Sequence, residues 1–355
     1  MIKARYVRYP KVYECMRERH IAYNGTVQYI EELKKQGKAF VIRPKHKSNV
    51  GRVEKDRAKL EALYKEGKLL YGTVGIFGGR VMLEILKAIL FGIVEGITEW
   101  LPVSSTGHMI LLNEFVTLDV SEEFWEMFLV VIQLGAILAV VLLFWNKIFP
   151  FELKDRRKPF IKKDIFVLWI KIVVACIPAA VIGLAFDDVF DALFYNPWCV
   201  AAALIIFGIA FIIIENRNKN MRPHITSLGQ ITYKTALLIG IFQLIAAIFP
   251  GTSRSGATIV GALLIGVSRT VAAEFTFFLA IPVMLGASLL KIVKFGFVFT
   301  GMELTILFVG MLVAFLVSVI VIRFLMGYIK KHDFKVFGWY RIVLGVIVLL
   351  YFVFS

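Results

Sequence analysis

The chain has 355 residues, of which 59% are hydrophobic, with a formal net charge of +15 and a mean hydropathy of +0.76. That apolar share excludes a large soluble core and indicates an integral membrane protein. The charge does not indicate a nucleic-acid partner, because residues 1–80 hold 19 Lys/Arg against 8 Asp/Glu and so carry most of the excess away from the apolar part.

Residues 1–80 read as a small basic N-terminal extension. A helix is expected over Arg52–Glu66, where Val53, Leu60 and Tyr64 share a face and Gly67 offers a C-cap. The glycine-rich stretch YGTVGIFGGR, 71–80, reads as a linker. Cys15 lies in the extension, while Cys176 and Cys199 fall in apolar spans without metal-ligand spacing, so no disulfide framework is implied. No basic stretch followed by a short apolar run opens the sequence, and membrane insertion is expected to be driven by the later spans. The piece FVIRPKHKSNVGRVEKDRAKLEALYKEG, 40–67, is similar to the C-terminal tail of bacterial patatin-like phospholipases, without any of a lipase's catalytic apparatus.

Apolar segments follow near 83–114, 124–146, 165–186, 197–215, 231–266, 270–292, 302–325 and 337–354. Six suit a single pass. The segments 83–114 and 231–266 are broken midway by LPVSSTG and FPGTSRSG, and each reads as a re-entrant helical hairpin, since irregular backbone at that depth survives only inside protein or facing a polar cavity. The two also look like copies of one another. Aligning Gly92 with Gly240 sets Glu95 on Gln243, Pro102 on Pro250, Ser104 on Thr252 and Ser105 on Ser253 at a constant offset of 148, and Gly135 then falls on Gly286 at 151. The expected architecture is therefore an all-α inverted-topology repeat. Repeat one covers about 83–215 and repeat two about 231–354 of a membrane domain 82–355, each with one hairpin and three transmembrane helices. Lys/Arg-rich loops at 147–164, 216–234 and 327–336 would be cytoplasmic, and the acidic loops with Asp119, Glu122 and Glu123 or Asp187, Asp188 and Asp191 would face outward.

Ionisable residues inside these segments are expensive, at roughly 2.5 to 3.5 kcal/mol each on insertion scales, so Glu95, Glu99, His108 and Arg254 require compensation that a bound polyanion with its counter-charges would supply. Glu95 and Glu99 stand one helical turn apart and repel unless a cation or a shared proton neutralises them, so the pair reads as a hard-cation site or an acid/base pair. Hydroxyls following Pro102 cap the next half-helix, whose free amides suit an oxyanion. Ser105 and His108 add a nucleophile and a base within nine residues of Glu99. The second break repeats this with Arg254, a planar fork of donors suited to phosphate oxygens or to pairing with Glu95 or Glu99. Glu274 is a weaker candidate, and Gln133 and Gln243 read as helix–helix hydrogen-bonding residues.

Taken in order, EGITEWLPVSSTGH, VIQLGAILAVV, PGTSRSGAT and AAEFTFFLAIP resemble the undecaprenyl-diphosphate phosphatase, or bacitracin-resistance protein, family from about Met82 to Ser355. The resemblance places the family's glutamate pair on Glu95 and Glu99, its serine and histidine on Ser105 and His108, and its arginine on Arg254; the N-terminal extension is a departure. It implies a phosphatase of the bacterial plasma membrane that recycles the lipid carrier of cell-wall synthesis, with an active site opening to the outer face. Undecaprenyl diphosphate and the bilayer are the expected partners, and a homodimer is compatible. Arg254 and the two half-helix starts, with Ser104, Thr106, Thr252, Ser253 and Ser255, would bind the diphosphate. Glu95 and Glu99 would hold a divalent cation such as Mg²⁺ or Ca²⁺, and Ser105 or His108 would act as nucleophile or proton shuttle. The alternative is a transporter or flippase for an anionic polyprenyl lipid, which inverted repeats with broken helices also describe.

Overall fold

The computed structural model describes residues 69–152, 159–194 and 196–354. The chain divides into two units, Met1–Met82 and Leu83–Ser355. The helix expected over 52–66 and the phospholipase-like piece 40–67 lie outside the described residues. The glycine-rich 71–80 is not an irregular linker: helix α1 begins at Leu69 and runs through it to Thr98, since without a proline the glycines only weaken a helix that the apolar residues between them continue.

All regular structure among the described residues is helical, apart from isolated bridges. After α1 come α2 (Ser105–Phe115), α3 (Glu122–Val131), α4 (Gln133–Leu143), the single turn α5 (Trp145–Ile148), α6 (Lys163–Phe194) and α7 (Pro197–Asn218). The second half holds α8 (Tyr233–Ile248), α9 (Arg254–Leu264), α10 (Arg269–Phe295), α11 (Gly301–Tyr328) and α12 (Lys335–Phe354). Local chemistry sets many of the starts. Ser121, Asn196 and Thr232 accept amides of the first turn, Pro197 fits the donor-free first position, and Thr300 with Glu303 closes a capping box.

Among the described residues, six helical stretches are long and apolar enough to cross a bilayer: Glu122–Leu143, Lys163–Gly183, Pro197–Asn218, Arg269–Phe295, Gly301–Tyr328 and Lys335–Phe354. The chain is a multi-pass membrane protein. Its lipid-facing surface shows on α11, where Phe308, Leu312, Leu316, Ile320 and Phe324 form an exposed i, i+4 stripe opposite the buried Ile306, Gly310, Ala314, Ser318 and Ile322. In water such a stripe would be a liability; in hydrocarbon it needs no cover.

The remaining two segments are broken, at 99–104 between α1 and α2 and at 249–253 between α8 and α9. At 16 residues, α8 is too short for a full crossing, which takes about 20. α9 and the first half of α10 are buried all round, from Ser255 to Leu263 and from Val271 to Ile281, and form the centre of the bundle with Trp100 against Phe277.

Close helix contacts use small residues, as expected where apolar burial gives no advantage over lipid. Gly92 and Gly96 bring α1 against Gly310, Ala314 and Val317 of α11, and Gly240 brings α8 against the Ala175 backbone of α6. Gly92 and Gly240 thus play one part at the offset of 148. Gly135 meets the Met311 backbone, whereas Gly286 has open space around it, so the pairing of those two glycines is not matched in packing. Gln133 donates to Leu129 O of the preceding turn and Gln243 has no partner, so neither joins two helices.

Gly92→Ala and Gly240→Ala each drive a Cβ into a facing backbone carbonyl. Each is expected to destabilise the fold by about 1–3 kcal/mol, seen as a lower melting midpoint of the purified protein in detergent, while Gly286→Ala leaves it unchanged.

Candidate active site

The two broken segments meet at Glu99. Its Oε1 accepts from Arg254 Nη2 at 3.0 Å, its Oε2 accepts from Ser105 Oγ at 2.8 Å, and its backbone carbonyl accepts from Ser255 Oγ at 3.2 Å. Arg254 Nη1 donates to Thr276 O at 3.0 Å. Both members of the ion pair are largely buried, with side-chain exposures of 13% for Arg254 and 6% for Glu99.

Each charge sits at the unfavourable end of its own helix. Glu99 follows the C-terminus of α1, where the carbonyl ends are negative, and Arg254 opens α9, where the amides are positive. Local preference is violated twice, and the violations cancel across the junction. Such conflicts between local rule and tertiary structure concentrate at functional sites.

The new helices begin in the same way. Ser104 and Ser253 are the non-glycine residues with positive φ among the described residues, at 76° and 68°. Each caps its helix by accepting from the amide three residues on, Gly107 and Gly256 respectively. This shifts the register read from sequence: Ser104 corresponds to Ser253 and not to Thr252, so the offset after the break is 149. The cost of a left-handed serine is of order 1–3 kcal/mol. The amides of Ser104, Ser105 and Thr106, and those of Ser253, Arg254 and Ser255, have no acceptor among the described residues. Two helix starts joined through Glu99 therefore present free N–H groups to an anion.

His108 is tethered at both ring nitrogens. Nδ1 donates to Ser104 O at 2.7 Å, and Nε2 lies 2.7 Å from Tyr340 Oη. Ser105 is thus engaged by Glu99 and not by His108. Glu95 is buried one turn before Glu99, Ser253 Oγ lies 3.1 Å from Ser255 Oγ, and Thr106 sits half-buried in the first turn of α2. Glu274 lies apart from this group, paired with Lys147 at 2.7 Å.

Sequence reasoning missed α12. Arg341 is fully buried and donates to Pro102 O at 3.3 Å, to Gly251 O at 3.0 Å and to Thr252 O at 2.7 Å. The signal was available: a lone arginine within the apolar GWYRIVLG carries the same insertion cost as Arg254. Tyr340 gave no comparable signal, since tyrosine in a membrane helix is ordinary.

Among the described residues, the buried side-chain polar atoms without a hydrogen-bond partner are Glu95 Oε1, Trp100 Nε1, both amide atoms of Gln243, Thr252 Oγ1, Arg254 Nε and Arg341 Nε. All belong to the helices leading into the two breaks, to the breaks themselves, to the helix start at Arg254, or to the arginine that bonds both breaks. Native interiors leave few such groups, so their concentration here marks a site.

A family model described as bacitracin resistance protein BacA matches residues 88–347. The chain belongs to the BacA family. A separate model, a domain of unknown function (DUF6363), matches residues 9–70. The chain is 72% identical over 271 residues to an undecaprenyl-diphosphatase of Desulfitobacterium hafniense, covering 76% of this chain and 97% of that protein. It is 69% identical over 270 residues to undecaprenyl-diphosphatase 1 of Clostridium acetobutylicum, covering 76% and 98%. An undecaprenyl-diphosphatase of Enterococcus faecalis is 65% identical over 268 residues, covering 76% and 97%. The site lies wholly inside the part of the chain that the BacA family model covers.

Arg254→Ala leaves the Glu99 carboxylate buried without its cation, an expected loss of about 3–5 kcal/mol. The double variant Glu99→Gln/Arg254→Ala removes the stranded charge and is expected to melt higher than Arg254→Ala alone, which melting midpoints of the three proteins in detergent decide.

Proposed function

We propose that the chain hydrolyses undecaprenyl diphosphate to undecaprenyl phosphate and inorganic phosphate, the substrate its relatives' names carry, and so recycles the lipid carrier of cell-wall synthesis. The observation that carries this reading is the Glu99 junction, where a nucleophile and its base stand beside a guanidinium and two sets of free helix-start amides. Transport of an anionic lipid needs the cation and the amides. It has no use for a serine hydroxyl donating to a carboxylate, so the flippase alternative is not favoured.

In this reading Arg254 and the amides of Ser104–Thr106 and Ser253–Ser255 hold the diphosphate oxygens, with the Ser104, Thr106, Thr252, Ser253 and Ser255 hydroxyls lining the approach. Ser105 Oγ attacks the terminal phosphorus while Glu99 takes its proton. The bond from phosphorus to the bridging oxygen breaks, and undecaprenyl phosphate leaves. The proton taken by Glu99 passes to the departing oxygen, which leaves Glu99 ionised again. Water, deprotonated by Glu99, then attacks phosphorus, the bond from phosphorus to Ser105 Oγ breaks, and the serine oxygen takes the proton back as phosphate leaves. His108 serves as proton shuttle to the departing oxygen, exchanging its Tyr340 contact for a substrate oxygen.

Glu95 and Glu99 fit a divalent cation such as Mg²⁺ or Ca²⁺. Glu95 Oε1 is buried without a partner, and each Glu99 oxygen keeps a lone pair beyond its one bond. No group of three or more His, Cys, Asp or Glu with metal-site spacing occurs among the described residues, so phosphate oxygens would complete the shell. Such an ion supplies neutralisation of the diphosphate charge.

The two broken segments are re-entrant hairpins of an inverted repeat. Support comes from their shared serine caps, from the equivalent contacts of Gly92 on α11 and Gly240 on α6, and from the odd number of full spans between them. With the Lys/Arg-rich loops inside, the first hairpin opens to the outer face of the bacterial plasma membrane, and the substrate enters from there. Residues 1–80 take no part in catalysis.

Purified protein in detergent is expected to release inorganic phosphate from undecaprenyl diphosphate. Ser105→Ala and Glu99→Gln should each lower turnover by about 100-fold or more, and full turnover in Ser105→Ala removes serine from the nucleophile's role. A version beginning at Met82 should keep wild-type turnover; a stably inserted but inactive one would assign the extension a catalytic part.

A further inference from the structure

Arg341 is a buried cation with no carboxylate partner among the described residues. Its nearest polar groups are backbone carbonyls: Pro102 of the first break, Gly251 and Thr252 of the second, and Ala203 of α7 at 3.5 Å. With no carboxylate to bind, the guanidinium has both ends of its fork for those oxygens. The Phe207 ring lies 5.9 Å from its guanidinium carbon and closes the remaining side.

A trans peptide fixes the amide on the side opposite its carbonyl. Where Arg341 draws the Thr252 carbonyl toward α12, the N–H of Ser253 must point the other way. That N–H has no acceptor among the described residues, whereas the two other peptides of the breaks held by Arg341 spend theirs internally, Val103 on Leu101 O and Thr252 on Phe249 O. The next two amides, of Arg254 and Ser255, are free by helix geometry. One side chain on the last helix therefore sets the direction of the first anion-binding amide of the second half-helix and fixes the first break to it.

We infer that Arg341 is a positioning residue that clasps both helix breaks by their carbonyls and thereby aims the Ser253 amide at the bound phosphate. It does not itself touch the substrate, since the side chain is fully buried and its two terminal nitrogens donate to the chain. The inference rests on the phosphatase reading for the identity of the anion, but the clasp itself does not. Nothing in the family's nucleophile, base or guanidinium assignments requires it.

The test is hydrogen exchange of the full-length protein in detergent, compared with turnover on undecaprenyl diphosphate. Arg341→Lys keeps the charge and loses the fork. It should speed amide exchange about tenfold at Val103 and Thr252 together, leave the six spans unchanged, and lower kcat about 10- to 100-fold with KM within about threefold. Exchange that is unchanged at the breaks, or that rises at only one of them, would overturn the clasp. A uniform rise over all spans would assign Arg341 to general stability instead. Local loosening with kcat unaltered would overturn the aiming of the amide. If Arg341→Lys does not fold, Arg341→Gln, with a planar donor and no charge, must show the same paired loosening or the inference fails. Exchange is read without substrate, so a wild-type protein that releases no phosphate would overturn the hydrolase reading while the paired loosening still decides the clasp.

Discussion

One ion pair joins two interrupted helices at the middle of the bundle, and its energetics shape everything near it. Glu99 and Arg254 are each at the wrong pole of their own helix and each too costly to bury alone. Paired, they become tolerable, and the remaining valence of Glu99 is filled by Ser105. The pairing also explains why the breaks must face one another: separated, either would leave free amides and a charge in surroundings that offer neither water nor counter-ion.

The same arrangement supplies reactivity. A serine hydroxyl donating to a buried carboxylate is poised to lose its proton, and the free amides of two helix starts offer the field that a phosphate oxyanion requires. The unpartnered buried atoms cluster at this one junction and its approaches. Stability elsewhere in the molecule is conventional for a membrane fold, with small residues at helix contacts and an apolar lipid-facing surface. The tension is confined to the place where chemistry is expected.

Histidine shows how proximity in sequence can mislead about partnership. His108 and Ser105 are three apart and share one helical face, which invites a base–nucleophile reading. The ring is instead held by Ser104 O and Tyr340 Oη, and the group that Ser105 meets is the Glu99 carboxylate, six residues back across the break. The offset of 148 likewise pairs Gly92 with Gly240, which pack alike, but misses by one the left-handed cap serines Ser104 and Ser253.

Composition and hydropathy alone determined that this is a helical membrane protein with six apolar segments long enough to cross and two interrupted ones, because a bilayer leaves the backbone few other solutions. The charged residues inside those segments identified Glu95, Glu99, His108 and Arg254, since burial cost is legible residue by residue. Which atoms meet was a different matter. That Glu99 joins Arg254 and Ser105, that Arg341 from the last helix binds both breaks, and that Tyr340 holds His108 depend on contacts spanning up to 239 residues of chain. No local pattern encodes such contacts; they were decided by how small residues let the helices close on one another.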